Sequence, residues 1–343
     1  MRPARAQDLD GLLALAAQTG SGLTTLPRDA DLLARRIAAS EMALEGSEDS
    51  PGDQNYLFVL ATEQGQIAAC SGLVGAVGTE QAFYNYHVGR TVFASRELEV
   101  YRSVPTLYLS NDLTGCSELA TLFVSPAWRG QGVSRLVSRA RFLFIAAHRR
   151  RFADRIIAEL RGVADGEGHS PFWDSLGRHF FAMDFTRADR LSGAATRAFI
   201  AELMPKHPLY TVLLTPEARA AIGEVHPDTR GARHLLEQEG FRYRDYVDIF
   251  DAGPVLEADT DKVRSVARTR FVSVAAEPLT VPAATALVAT PGLDAFRAIQ
   301  APARLVDDGL ALRSQDSELL GVSAGDPVCW LPPERDGDPS SVS

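Results

Sequence analysis

The pattern of apolar and polar positions is clearest between residues 118 and 147. A short apolar run at 119–124 predicts a β-strand, which Ser125-Pro126 brings to an end. After a turn that contains two glycines, apolar residues recur at spacings of three and four from Val133 to Ala147. This spacing places them on one face of an amphipathic helix. The sequence therefore predicts a strand, a glycine-containing turn and a helix in direct succession.

The rest of the chain up to residue 255 alternates between the two kinds of pattern. Strands are predicted at 2–5, 56–62, 67–77, 84–93, 106–110, 155–160, 179–185 and 243–250. Helices are predicted at 10–18, 29–40, 170–177, 198–204, 216–223 and 229–239, the last ended by Gly240. We interpret residues 1–255 as one α+β domain. Its segment 196–255 repeats the helix–strand pattern and could be a degenerate second copy of that unit.

From about residue 256 the character of the chain changes. Short strand-like runs rich in Ala, Pro and Thr predict a separate, small β-rich domain with a barrel-like sheet at 256–333. The final residues, 334–343, are polar and are expected to be disordered.

The turn from Arg129 to Ser134 is the best candidate for chemistry. A glycine-containing turn that leads into a helix presents unpaired backbone N–H groups and the positive end of the helix dipole, which together suit a phosphate-like anion. The alternative is that Gly130 and Gly132 serve only the turn itself.

Composition narrows the classes of ligand. The 343 residues are 45% hydrophobic and 23% charged, with a net charge of −9. An acidic chain is not expected to bind nucleic acid. An anionic ligand would need local cations, which Arg129, Arg135, Arg139 and Arg141 around the predicted helix could supply. No apolar run approaches membrane-spanning length, and acidic residues interrupt the N-terminal segment, so we expect no membrane partner and a cytoplasmic location.

Three cysteines, Cys70, Cys116 and Cys329, stand far apart. Their odd number and wide spacing indicate a reducing compartment and no metal site. Cys116 lies just before the 119–124 strand, but nothing near it in sequence argues for a lowered thiol pKa. We therefore interpret it as a passive small residue and not as a nucleophile.

The turn also resembles a known motif. Arg129, Gly132 and Ser134 occupy the fixed positions of the pattern Arg/Gln-x-x-Gly-x-Gly/Ala, the pyrophosphate-binding loop of GNAT-type acyl-CoA acyltransferases. Ser134 departs from the usual Gly or Ala, although its side chain is only slightly larger than a methyl group. The order of predicted elements is also similar to that of the GNAT fold. The resemblance implies a GNAT-like α+β fold that binds an acyl-CoA.

Longer stretches resemble one family, the arginine N-succinyltransferases. They lie at 22–27, 84–89, 107–119, 159–181, 198–210 and 240–254. The resemblance implies transfer of a succinyl group from succinyl-CoA to the α-amino group of L-arginine, in arginine catabolism. Succinyl-CoA would be a co-substrate, with no further cofactor and no metal. The resemblance also implies that the protein forms a homo-oligomer or pairs with a paralogous subunit.

The resemblance assigns roles to two further residues. Leu122 falls on the acyl-CoA-contacting leucine of the family, and His226 falls on its proton-donating histidine. Without the resemblance, Leu122 would be interpreted as a core residue and His226 as an ordinary surface histidine. His169, His179 and His207 would then be equally open candidates.

Recognition of arginine and succinate requires charged groups of both signs. Candidates near the predicted cleft are Asp112, Glu118, Glu159, Arg161 and Asp165, each of which could equally be structural. Two other functions stay open: an acyltransferase with another amine, such as ornithine, or another acyl donor, and a non-catalytic CoA-binding partner subunit.

Overall fold

The computed structural model describes residues 1–19, 25–165, 169–185, 187–188 and 203–333. Ten strands form one sheet in the order β1-β2-β3-β6-β7-β10-β9-β4-β5-β8. Their bounds are β1 Arg2–Pro3, β2 Asn55–Ala61, β3 Ile67–Val74, β4 Asn85–Ser95, β5 Val100–Ser110, β6 Ser117–Val124, β7 Arg155–Glu159, β8 Leu209–Tyr210, β9 Arg242–Asp248 and β10 Pro254–Asp259. The predicted strands other than the one at 179–185 coincide with members of this sheet.

The helices of the described ranges pack on this sheet, on a second one or between the two. They are α1 Leu9–Ala16, α2 Ala30–Glu45, α3 Val133–Ala147, α4 Pro171–Ser175, α5 Gly177–Phe181, α6 Pro216–Ala221, α7 Arg230–Gln238, α8 Arg264–Arg268 and α9 Ser314–Leu320. The side chain just before the first helical residue explains where several of these helices begin. At the start of α2, the Asp29 side chain accepts a hydrogen bond from the backbone N–H of Leu32. At the start of α4, where Pro171 is the first helical residue, the Ser170 side chain accepts one from the backbone N–H of Trp173. Such side-chain caps satisfy N–H groups that have no partner inside the helix.

The sheet is antiparallel except where β6 meets β7. Two parallel strands need a crossover connection, which α3 provides. The pairing of β6 with β7 consists of Ser117 with Ile156 and Glu118 with Ile157. β6 then continues to Val124 without β7 beside it, so a cleft opens in the middle of the sheet.

A bulge distorts β6 at the mouth of this cleft. On the β3 side the register runs from Cys70–Phe123 to Gly72–Ala120, so that Thr121 and Leu122 together oppose one residue of β3. Thr121 has a φ of 52°, in the left-handed region that a β-branched residue rarely adopts. Bulges of this kind redirect backbone groups, and this one lies at the residue implied to contact the acyl-CoA.

A second sheet follows in the C-terminal part, in the order β11-β15-β12-β13-β14. Its strands are β11 Arg270–Ser273, β12 Thr285–Ala289, β13 Ala298–Val306, β14 Gly309–Leu312 and β15 Pro327–Leu331. The sheet curls, because Val274 at the end of β11 bridges to Leu310 in β14. The predicted small β-rich, barrel-like part is thus confirmed, as is the α+β class. The boundary predicted after residue 255 falls within β10 of the large sheet.

Helix α3 lies between the two sheets and shares one core with both. The ring of Phe144 on α3 packs 4.9 Å from Phe58 of β2 and 5.1 Å from Phe296, which precedes β13. All three side chains are fully buried. Since aromatic rings carry large buried areas, this cluster fixes α3 and hence the turn that precedes it.

The strand predicted at 179–185 is wrong. The chain forms α5 up to Phe181 and turns at Ala182, whose φ is 50°. The buried ring of Trp173 is the reason: Phe181 and Phe185 pack around it, at 5.1 and 6.4 Å. A Cβ at Gly177 would lie 2.2 Å from that ring, so the glycine allows the close approach. The helix predicted at 198–204 falls largely outside the described residues, as do the tail at 334–343 and the resembling segment's residues 22–24.

Candidate active site

A cavity of about 810 Å³ occupies the cleft where β6 and β7 diverge. Its walls come from β6, the turn before α3, the end of β7, the start of α7 and the turn after β9. A volume of this size accommodates a sizeable organic ligand. The site residues predicted from the sequence lie in or beside this cavity, as follows.

The turn before α3 has the geometry expected of an anion site. Gly130 and Gly132 have φ values of 77° and 78°, a conformation that glycine adopts without strain. Gly132 is the N-cap of α3, and no side chain caps the helix there. The first N–H groups of the helix have no intrahelical partner. Ser134, in this first turn, lines the cavity. Backbone donors and the helix dipole therefore converge at the cavity wall.

The four arginines expected to supply positive charge are placed differently. Arg129 lines the cavity, with its Nε donating to the carbonyl oxygen of Val124 at 3.2 Å. Arg141 also lines it, as a buried residue. Arg139 instead forms an ion pair with Glu239, with Nε and Oε1 3.0 Å apart. Arg135 is exposed on the same helix and does not line the cavity.

Leu122 contributes to both the core and the cavity. Its side chain is half-buried and packs against the main hydrophobic core. It also lines the cavity, at the bulge where β6 has no parallel neighbour. The core interpretation and the acyl-contact interpretation are therefore compatible, because the residue both packs against the core and lines the cavity.

His226 lies beside the cavity, in the loop between α6 and α7. Its backbone N–H donates to the carbonyl oxygen of Arg161 at 2.9 Å, and its Nδ1 accepts from the backbone N–H of Asp228 at 3.2 Å. The side chain is 15% exposed. His226 itself is not among the lining residues, whereas Arg161, Asp228 and Thr229 are.

The protonation of His226 follows from these contacts. Burial and then the Arg161 cation lower the pKa of the imidazole, against the opposing effect of Asp228. A neutral ring whose Nδ1 accepts a hydrogen bond carries its proton on Nε2. Nε2 is therefore the ring nitrogen through which His226 would exchange a proton.

The other histidines are less well placed, with one exception that the sequence did not single out. His169 pairs with Asp165, and His179 and His207 are exposed. His234 lines the cavity from α7, where its Nε2 lies 2.9 Å from Nε2 of Gln238. No sequence pattern would have indicated it, because the approach of α7 to the cavity depends on the tertiary fold.

Carboxylates also line the cavity. They are Glu118, Glu159, Asp228, Asp248 and Asp251. Glu159 accepts from Nδ2 of Asn85 at 2.8 Å, and buried Asp251 accepts from the backbone N–H groups of Gly162 and Gly253. Of the candidates from sequence, Glu118, Glu159 and Arg161 reach the cavity, whereas Asp112 and Asp165 do not. Asp248 and Asp251 were missed because adjacent turns, and not periodicity, bring them there.

Cys116 does not line the cavity. Its side chain is buried, Arg155 donates from Nε to its sulfur at 3.1 Å, and burial raises the pKa of the thiol. A buried thiol of raised pKa is a poor nucleophile. Among the described residues, no cluster of three or more His, Cys, Asp or Glu side chains is arranged to hold a metal ion. Within the same ranges, none of the helices has both the length and the apolar character needed to cross a membrane.

Comparison with known proteins matches this chain over nearly its whole length. Residues 1–265 match the family described as "Arginine N-succinyltransferase beta subunit", and residues 268–332 match the C-terminal domain of that family. Arginine N-succinyltransferase from Enterobacter sp. (strain 638) is 48% identical over 330 residues, which cover 96% of both chains. Arginine N-succinyltransferase subunit beta from Pseudomonas aeruginosa is also 48% identical, over 97% of both chains.

A solved structure shares the fold. Subunit AI of the arginine/ornithine succinyltransferase from Pseudomonas aeruginosa superposes with a TM-score of 0.87 at 35% sequence identity, covering 96% of this chain and 97% of that one. The fold expected from the sequence, GNAT-like with an appended β-rich part, is confirmed. With family matches that span both sheets and relatives that align end to end, this chain belongs to the arginine N-succinyltransferase family.

Proposed function

We propose that this protein transfers the succinyl group of succinyl-CoA to the α-amino group of L-arginine, giving N-succinylarginine and CoA. Family membership supports the reaction class. The observation that carries the proposal is the cavity itself. It joins an anion-binding turn, Arg129–Ser134, to a wall of carboxylates through the cleft between β6 and β7. The turn suits an anionic donor, and the carboxylates suit a cationic acceptor.

The donor binds first through its diphosphate. The N–H groups at Gly130, Gly132 and the first turn of α3 donate hydrogen bonds to the phosphate oxygens, and Arg129 adds a positive charge beside them. Such a contact lets backbone donors hold an anion without a net positive protein. The pantetheine arm then lies in the cleft, beside the free edge of β6.

The thioester carbonyl is placed at the bulge. The backbone N–H of Leu122 bonds the carbonyl oxygen, and its apolar side chain keeps water away from the reacting carbon. The arginine α-nitrogen attacks that carbon to form a C–N bond and a tetrahedral oxyanion, which a preorganised donor stabilises. Collapse of this intermediate breaks the C–S bond and releases CoA as a thiolate.

Proton transfer completes the reaction. The amine must lose a proton, and the thiolate must gain one. The α-nitrogen gives its proton to solvent, and the protonated His226 ring gives its Nε2 proton to the departing sulfur, directly or through one water, since it lies at the edge of the cavity. Solvent then reprotonates the ring. The lowered pKa of its imidazole makes the protonated ring a stronger acid. The thioester already activates the acyl group, so the reaction requires no further cofactor.

The acceptor lies against the carboxylates. The guanidinium of arginine matches carboxylate geometry in a bidentate manner, and Glu118, Glu159 and Asp228 line the relevant part of the cavity. Ornithine, which carries an ammonium in place of the guanidinium, is the second candidate acceptor. The name of the related Pseudomonas aeruginosa structure, an arginine/ornithine succinyltransferase, supports testing it. That relative is also named as a subunit, which supports assembly as a homo-oligomer or with a paralogous subunit.

A thiol-release assay tests the proposal. Succinyl-CoA and acetyl-CoA are each combined with arginine, ornithine and lysine, and free CoA is followed with a thiol reagent. The proposal predicts rapid release only with succinyl-CoA and arginine or ornithine. Release that is independent of the amine would contradict it, and binding of CoA without turnover would identify a non-catalytic partner subunit.

A further inference from the structure

Arg141 is a buried cation that no anionic side chain of the described residues contacts. Its side chain is 2% exposed, in the third turn of α3, and it lines the cavity. Its hydrogen bonds are all 3.4 Å long and go to neutral acceptors: the carbonyl oxygens of Ala120 and Ser138 and the Oγ of Ser138. No carboxylate of the described residues forms an ion pair with it.

This environment is unfavourable for an arginine in the free protein. Burial alone lowers the pKa of the guanidinium to about 10, so the group still carries its charge at neutral pH. Buried charges are normally paired, because an unpaired one loses its hydration without compensation. Arg139, two residues earlier, illustrates the usual solution, since it pairs with buried Glu239. The missing partner of Arg141 is therefore expected in a ligand.

The position of Arg141 indicates which part of the ligand this is. Ser134 and Arg141 both line the cavity and lie seven residues apart on α3, which places them on one face about 10.5 Å apart along the axis. The Arg141 guanidinium contacts Ala120, two residues deeper along β6 than Leu122. A donor held by its diphosphate at Ser134 and by its carbonyl at Leu122 therefore points its acyl chain towards Arg141.

The length of the succinyl group fits this interval. Three bonds separate its thioester carbon from its terminal carboxyl carbon, a span of about 3.8 Å as between consecutive Cα atoms. The step from Leu122 to Ala120, two residues along β6, covers roughly 6–7 Å. The Nη1 atom already reaches the Ala120 carbonyl, so a bidentate contact with the carboxylate requires only a small shift of the guanidinium.

We propose that Arg141 is the residue that selects succinyl-CoA, by binding the terminal carboxylate of the succinyl group in a bidentate ion pair. The inference rests on the proposed function, because it takes the thioester carbonyl to lie at Leu122. Arg141 acts by binding and takes no part in proton transfer. A donor of equal length without the carboxylate, such as butyryl-CoA, leaves the buried guanidinium unpaired and is rejected for that reason.

The test compares donors and acceptors that differ only in a carboxylate. Wild-type protein, Arg141→Met and Arg141→Lys are assayed by thiol release with succinyl-CoA and butyryl-CoA, each with L-arginine and L-arginine amide. Arg150→Met is the matched control, since Arg150 is an 83% exposed arginine just beyond α3. Circular dichroism and thermal unfolding check that each variant is folded.

Arg141→Met is expected to lower the ratio of kcat/KM for succinyl-CoA over butyryl-CoA on the order of 100-fold, since a charge-assisted bidentate contact is lost. The ratio for arginine over arginine amide is expected to stay unchanged. Arg141→Lys keeps the charge without the fork and is expected to lower the donor ratio about tenfold. If the Arg141→Met variant does not fold, the Arg141→Lys variant is used for the test. Arg150→Met should change neither ratio.

Two outcomes would overturn the inference. An equal loss with both donors would show a structural role for Arg141, and a loss confined to the acceptor ratio would assign it to the carboxylate of arginine. If the wild-type protein transfers no succinyl group, the proposed function fails separately. Calorimetric binding of the two CoA esters then decides: a preference for succinyl-CoA that Arg141→Met removes supports the inference, and its absence overturns it.

Discussion

The guanidinium of Arg36 donates from Nη2 to Oγ1 of Thr121 over 2.6 Å, and so ties α2 to the bulge of β6. The Thr121 hydroxyl in turn donates to the carbonyl oxygen of Thr25 at 3.3 Å. Thr121 is held at a φ of 52°, and a strained residue persists only when its surroundings fix it. These contacts therefore position the neighbouring backbone N–H of Leu122. We assign this N–H as the hydrogen-bond donor to the thioester carbonyl oxygen.

Arg36→Lys tests that positioning. A lysine keeps the charge but lacks the planar group that reaches both Thr121 and Asn55. We expect kcat to fall about tenfold with KM for succinyl-CoA nearly unchanged, because a displaced oxyanion donor affects the transition state more than the ground state. Arg35→Lys, at the exposed neighbouring position on α2, is the control and should behave as wild type. A rise in KM alone would contradict the positioning role.

His226→Ala tests the proton donor. Loss of a general acid is expected to lower kcat about 100-fold or more, while the dissociation constant for CoA stays within about twofold. His179→Ala removes an exposed histidine remote from the cavity lining and serves as the control. Steady-state kinetics and calorimetric CoA binding provide the two measurements. Unchanged turnover in the His226 variant would exclude it from the mechanism.

Gly132→Ala tests the anion-binding turn. Gly132 and Gly65 both have positive φ values, 78° and 80°, and in both cases an added Cβ would meet nothing within 4 Å. Each alanine should therefore impose a similar backbone strain, about 1–2 kcal/mol. Only Gly132→Ala is expected to raise KM for succinyl-CoA, by about tenfold, because only that turn holds the diphosphate. Equal effects of the two variants on KM would refute the site.

Phe296→Ala tests whether the C-terminal sheet supports α3. The fully buried Phe296 ring contacts Phe58 and Phe144, so its truncation leaves a cavity in the shared core. We expect a loss of about 3–5 kcal/mol in the free energy of unfolding, within one cooperative transition. Leu319→Ala, at a position 55% exposed on α9, should cost at most about 0.5 kcal/mol. Two separate transitions in denaturant would contradict a shared core.

Stability should fall as the pH drops below 6.5, through His148. Burial and the Arg151 cation lower the pKa of this imidazole to about 4, against 6.5 in the unfolded chain. Between these two values the unfolded chain binds a proton that the folded protein does not, so acid favours unfolding. His148→Gln removes this contribution, and the slope of unfolding free energy against pH between 6.5 and 4 should decrease. Denaturant titrations at several pH values measure it, and an identical slope in both proteins would contradict the assignment.

The local signals of the sequence predicted α3 and the turn before it well, because apolar spacing and glycine position reflect local backbone geometry. They did not predict the bulge at Thr121, whose cause is a register shift against β3 and a contact from α2. They were wrong at 179–185, where packing around Trp173 overrides an ambiguous apolar pattern. Burial of Arg141 could not be predicted either, since a polar residue on a helix is ordinarily exposed.

The site was predicted mainly through the family resemblance and not through residue patterns. Leu122 and His226 lie 104 positions apart in sequence, and nothing in the pattern of either segment indicates that one lines the cavity and the other lies beside it. The sheet order brings them close, because β9 and β10 insert between β7 and β4 and carry the α7 segment with them. Contacts of this kind depend on the tertiary fold.

A crystal structure of the protein with bound CoA and arginine tests the central claim most directly. We predict the diphosphate on the N–H groups from Gly130 to Ser134, the CoA sulfur within reach of the Leu122 backbone, and the arginine α-nitrogen on the carboxylate side of the same cleft. A diphosphate bound elsewhere, with the cleft between β6 and β7 empty, would contradict the account.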